Sequence, residues 1–186
     1  GKDQARKTFE YLRNISFNKA FSSSMHRPYE TAQIILQNNK DLKIERIDSL
    51  VEISHGLWEG KLEAEIREEW PVLLNNWHDK PEEVIMPEGE SIKDVSERSI
   101  EAFTKICSTQ KDNDLTLLVA HDAVNKTLIC NLLGISYSNI WMIKQGNGGI
   151  TVIDLFNDPS KTPVISALNI TTHLGGVIDS TASGAL

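Results

Sequence analysis

The stretch Leu115-Thr116-Leu117-Leu118-Val119-Ala120-His121-Asp122 changes character within a few residues. Six nearly all-apolar positions end abruptly in an imidazole. Such a run predicts a strand covered on both faces. Beyond it, Val124, Leu128, Leu132 and Leu133 recur at helical spacing, and Gly134 stands where a helix would close. The unit is therefore strand, histidine, helix. In open α/β sheets, ligands gather beyond the carboxyl ends of the strands. His121 is thus predicted to face a crevice.

The neighbouring sequence repeats the pattern. Ala5, Phe9 and Leu12 mark one face of a helix over residues 3–13. Lys19-Ala20-Phe21-Ser22 reads as a short strand running into Ser22-Ser23-Ser24. A helix then begins at Pro28, where the missing N–H costs nothing, and carries Ala32, Ile35 and Leu36 inward before fading at Asn38-Asn39. Ser91 suits the cap of a long amphipathic helix through Ile92, Val95, Ala102, Phe103 and Ile106. Residues 149–156 and 162–169 read as two further strands. Strands alternating with helices predict an α/β fold, a three-layer α/β/α sandwich on a mostly parallel sheet. Residues 1–170 form one domain and residues 171–186 a surface tail. Between residues 50 and 90 the pattern is irregular, with three tryptophans, several Gly and Pro, and one short helix expected around Glu63–Trp70.

Bulk composition narrows the function classes. The 186 residues are 40% hydrophobic and 24% charged, with a formal net charge of −7. An acidic surface repels phosphate backbones, so nucleic acid is not an expected partner. Any anionic substrate needs a local positive pocket. No apolar run approaches the roughly 18 residues of a membrane span, and the opening residues show no signal-peptide pattern. Cys107 and Cys130 lie in apolar helical patterns and read as buried thiols of a reducing compartment.

Three places carry candidate chemistry. Arg27 follows the first strand at a helix start, and a guanidinium fork beside free helix N–H groups favours bound phosphate; alone, it could equally be a surface arginine. His121 can serve as nucleophile, base or oxyanion partner, or as a structural histidine held by a carbonyl. Glu52 and Glu59 flank Gly56 beside Trp58 in Glu52-Ile53-Ser54-His55-Gly56-Leu57-Trp58-Glu59-Gly60. A carboxyl near an apolar ring can have its pKa raised, as a general acid requires; the bland alternative is a solvated loop charge. His26, His55, His78 and His173 show no ligand spacing. No zinc-type spacing, phosphate-loop lysine or dinucleotide fingerprint occurs. Gln145-Gly146-Asn147-Gly148-Gly149 precedes a strand instead of following one.

Together these segments resemble the histidine phosphatase superfamily, the phosphoglycerate-mutase-like enzymes. Ser22-Ser23 through Arg27 with Glu30-Thr31-Ala32 is similar to its second phosphate-binding segment. Leu50-x-Glu52 with Gly56 and Trp58-Glu59-Gly60 is similar to its proton-donor segment. Pro87-x-Gly89-Glu90-Ser91 followed by Arg98, and Val119-Ala120-His121, are further marks. Asn147 before Ile150-Thr151-Val152 looks like a common pocket asparagine. Ser24-Met25 and Asp122 depart from the usual Pro-Leu and Gly, which touches substrate fit.

The resemblance implies a metal-independent, cofactor-free phosphomonoester hydrolase acting through a phosphohistidine on a small phosphorylated acid or sugar. Arg27, His121 and Asn147 would hold phosphate. Glu52 would be the proton donor, with Glu59 in reserve. A phosphoglycerate mutase and a non-catalytic phosphate-binding domain are the alternative readings. It also implies an Arg-His-Gly nucleophile segment upstream of Gly1. Its strand would pair beside the strand ending at His121, leaving an aggregation-prone slot in this span alone. The resemblance further suggests a cytoplasmic or chloroplast-stroma setting, and a homodimer is an open expectation.

Overall fold

The computed structural model describes residues 1–156, 158 and 161–176. Its elements run α1 (Lys2–Leu12), β1 (Lys19–Ser23), α2 (His26–Ile35), β2 (Ile44–Ile47), α3 (Glu63–Glu69), α4 (Pro71–Asp79), α5 (Ile92–Ser108), β3 (Thr116–Val119), α6 (Asp122–Leu133), β4 (Ile150–Asp154) and β5 (Val164–Ile170). The first three strands form a parallel sheet in the order β2-β1-β3, with Ala20 opposite both Ile44 and Leu117. β4 and β5 make a separate antiparallel pair. No helix among the described residues is long and apolar enough to cross a membrane.

Alternation along β1 sets the layers. Phe21 joins the large core built from Val95, Ala102 and Ile106 of α5 and Val124, Leu128 and Ile129 of α6. Successive strand residues face opposite ways. Ala20 is accordingly buried outside that cluster, as are Ala5 and Phe9 of α1 and Ala32 and Ile35 of α2, the two helices packed on each other and α2 on β1. The three-layer α/β fold is therefore as the sequence predicts.

Several local readings need correction. α2 begins at His26, so Arg27 lies within its first turn and Pro28 is its third residue; Met25 has the extended backbone of a cap, and Pro28 needs no donor partner there. β3 is half-buried along its length, and Leu115 is largely exposed. The reason is its place at the edge of the three-stranded sheet, where among the described residues it pairs only with β1. β2 is unforeseen because Ile44-Glu45-Arg46-Ile47 has only its ends apolar. Cys107 is half-buried, while Cys130 is buried as expected. Of the tail expected over residues 171–186, residues 177–186 lie outside the described residues; Thr171, at its start, is buried.

The 50–90 excursion holds a second helix. Pro71 opens α4 where its missing N–H is harmless, and Leu74 and Trp77 are buried on one face. Trp58, Trp77 and Trp141 meet edge to face at centroid distances of 6.4 and 5.1 Å. Each buried indole contributes several kcal/mol of apolar burial, on the order of 25 cal/mol per Å². This anchors the excursion over the α5–α6 side.

Two glycines dock the excursion on the following loop. Gly56 has a φ of 55°, and a Cβ there would collide with the backbone of Pro87 and Gly89. A Cβ on Gly89 would lie 2.5 Å from the Ser54 carbonyl oxygen. Gly89→Ala is therefore expected to cost about 1–3 kcal/mol in urea unfolding. An unchanged midpoint would show that the contact yields freely.

Candidate active site

Parallel pairing of β1 and β3 puts Ser22 opposite Val119. The chain leaving each strand therefore arrives on the same side. From β1 come Ser23 and, after the turn, Arg27 of α2. From β3 comes His121, the cap residue of α6. His121 is 4% exposed and Ser23 fully buried. The imidazole Nε2 lies 2.9 Å from Ser23 Oγ, and Arg27 Nη2 lies 3.4 Å from Nδ1.

Glu52 reaches the same place from the loop after β2. Its carboxylate accepts from the backbone N–H groups of Asp122 (3.1 Å) and Ala123 (3.2 Å), at the start of α6, and from Ile53 (3.1 Å). Burial raises the Glu52 pKa; the Ile53 N–H opposes this, and the Asp122 charge adds to it. Glu52 is thus favoured as an acid relative to a solvated glutamate. His121 moves the other way: burial first, then the charges of Arg27 and Arg98, push it from 6.5 down to about 4.

The loop bearing Glu52 is shaped by Arg98. Its guanidinium donates to the carbonyls of Ser49 (2.9 Å), Val51 (2.7 Å) and Glu52 (3.2 Å) and to Glu90 (2.7 and 2.9 Å). Glu90 in turn accepts from the Ser54 N–H at 2.9 Å. One planar fork thus gathers three carbonyls of the stretch 49–52.

Of the residues expected at the site, Arg27, His121 and Glu52 come together. Glu59 is exposed and accepts from Ser54 Oγ and the His55 N–H, apart from the cluster. Asn147 lies exposed on the turn before β4; no hydrogen bond among those described joins it to Arg27, His121 or Glu52. His26 and His78 are exposed, and His55 packs edge-on to Trp77. His173 is tied to Thr8 and the Gly148 carbonyl and stacks on Tyr11. Ser23 was missed because nothing in the run Ser22-Ser23-Ser24 distinguishes one hydroxyl. Asp122 also belongs to the site: its Oδ2 is 2.8 Å from Lys126 Nζ, while its Oδ1 is buried with no hydrogen-bond partner among the described residues.

Residues 1–170 match the histidine phosphatase superfamily, branch 1. The chain belongs to that superfamily. Phosphoserine phosphatase 1 of Hydrogenobacter thermophilus is 31% identical over 175 residues, covering 94% of this chain and 81% of that protein. The structure of Bacillus stearothermophilus YhfR superposes with a TM-score of 0.86 at 24% identity, over 94% of this chain and 84% of that one. A phosphoserine phosphatase mutant of Entamoeba histolytica in complex with phosphoserine gives 0.78 at 26% identity, over 93% and 83%. The α/β fold is that of the superfamily, and its relatives include proteins named as phosphatases and others named as phosphoglycerate mutases.

This histidine phosphatase should show one pH signature. A folded-state pKa below the unfolded value means that the unfolded chain binds the proton more tightly. The His121 contribution is therefore intact above pH 6.5 and lost as pH falls towards about 4. The loss is on the order of 3 kcal/mol. His121→Asn should flatten that part of the wild-type stability curve in urea titrations at stepped pH. Parallel curves for the two proteins would refute the assignment.

Proposed function

We propose that the protein is a metal-independent phosphomonoester hydrolase. The observation that carries this reading is the convergence of Arg27, His121 and Glu52 at the carboxyl ends of β1 and β3. A guanidinium is suited to the equatorial oxygens of a transferring phosphoryl group, where charge is spread in the transition state. The surface carries a net charge of −7, so this local cation is what makes the crevice attractive to an anion.

Glu52, with its raised pKa, donates a proton to the leaving oxygen and afterwards takes one from the attacking water. Its place against the first N–H groups of α6 fixes where that proton is delivered. The superfamily's phosphohistidine route also requires an attacking histidine. The phosphatase relatives support hydrolysis over isomerisation, and a small phosphorylated acid or sugar as substrate.

The test uses protein expressed from the full reading frame. With O-phosphoserine and 3-phosphoglycerate as substrates, release of inorganic phosphate is expected. Conversion of 3-phosphoglycerate into 2-phosphoglycerate without phosphate release would instead establish a mutase. Glu52→Gln should lower kcat about 10²–10⁴-fold while phosphate still binds. Arg27→Ala should lower kcat/KM through both constants. A Glu52→Gln enzyme with undiminished turnover would remove Glu52 from the mechanism.

A further inference from the structure

His121 has neighbours on both ring nitrogens, and their chemistry fixes its proton. Arg27 carries only donors. The nitrogen it approaches, Nδ1, must therefore present a lone pair. The single proton of a neutral imidazole then sits on Nε2 and is donated to Ser23 Oγ at 2.9 Å. Ser23 Oγ is a suitable acceptor: it also takes the Met25 N–H at 3.3 Å, and it is buried where no water competes. The opposite tautomer would set Nδ1–H against a guanidinium N–H, donor against donor.

In this state His121 has no hydrogen to offer an oxyanion on its Arg27 side. The two contacts also differ in strength. The bond to Ser23 is of ordinary length, whereas 3.4 Å to Arg27 is long and weak. An arriving phosphate competes for Arg27 and breaks the weak contact first. The ring stays anchored by Ser23, and its freed Nδ1 lone pair then faces a phosphate oxygen, acceptor against acceptor. Protonating Nδ1 turns that repulsion into a charge-assisted hydrogen bond.

We infer that Ser23 is the positioning residue that holds His121 as the Nε2–H tautomer, and that phosphate binding draws a proton onto His121 Nδ1. The inference rests on the phosphatase reading of the site. The step is a simple proton transfer: a neutral imidazole takes one proton from solvent buffer, and an imidazolium forms beside the bound dianion. No covalent bond is made or broken.

The surrounding charges are consistent with it. Arg27 of α2 and Arg98 of α5 disfavour the imidazolium in the free protein, as does burial. Glu52 from the loop after β2, and the Asp122–Lys126 pair on α6, are further ionisable groups at the start of α6, next in the chain to His121. A dianion at contact distance contributes several kcal/mol of opposite sign, enough to reverse that preference.

Two measurements on protein expressed from the full reading frame test this. Nitrogen-15 NMR of the free protein at neutral pH should show His121 neutral with its proton on Nε2. In Ser23→Ala the tautomers should redistribute. An Nδ1–H tautomer or an imidazolium in the free wild type would overturn the inference. The second is titration calorimetry with inorganic phosphate at about pH 8, where phosphate esters and phosphate are dianionic, in buffers of low and high ionisation enthalpy. Binding heat should vary with the buffer by close to one proton per phosphate. His121→Asn, which brings a permanent N–H donor, should remove that dependence. Wild-type phosphate binding with no buffer dependence overturns this inference alone. Absence of wild-type phosphate binding overturns both it and the phosphatase reading.

Discussion

The parallel register of β1 against β3 is the constraint on which the site depends. It fixes two chain exits side by side, Ser23 and His121, although 98 positions separate them in sequence. The hydrogen bonds that set the register belong to Lys19–Ser22 and Thr116–Val119. None of those residues is chemically special. Because the side-chain period of a strand is two, a slip by one residue would turn Phe21 out of the core and misplace the imidazole together. Packing and chemistry are thus specified by the same ladder.

A second constraint acts on the carboxylate. Glu52 comes from a loop without regular structure, which alone would leave its side chain poorly defined. Arg98 of α5 supplies the missing order by collecting the carbonyls of Ser49, Val51 and Glu52 around one guanidinium. The partner Glu90 neutralises that charge and extends the brace to Ser54. The acid is therefore held from behind by an ion pair and from the front by the start of α6. Its desolvation, which makes it a useful acid, follows from this enclosure.

How much of this was legible depended on the kind of interaction. The β3–His121–α6 unit was readable because an apolar run, a helical period and Gly134 each signal their own boundary. Arg27 and Glu52 were recognisable from local motifs. What failed to show was anything set by pairing across the chain. β2 is too polar to be seen without β1 beside it, and β3 could not be known as an edge strand from its own composition. Ser23 differs from Ser22 and Ser24 only in what it meets, a histidine from another strand. Asn147 looked right by motif yet sits on an exposed turn. Glu59 was a fair rival to Glu52 until the loop's path gave its carboxylate to Ser54 and His55.

The mutual approach of Gly56 and Gly89 has a consequence for divergence. At each position the obstacle to a side chain is the other loop's backbone, not a side chain that could shrink. No second substitution elsewhere can make room, so the usual route of compensated drift is closed. The geometry thus predicts that the two positions are kept as a couple, and that length changes in either loop are tolerated only where they leave this crossing untouched.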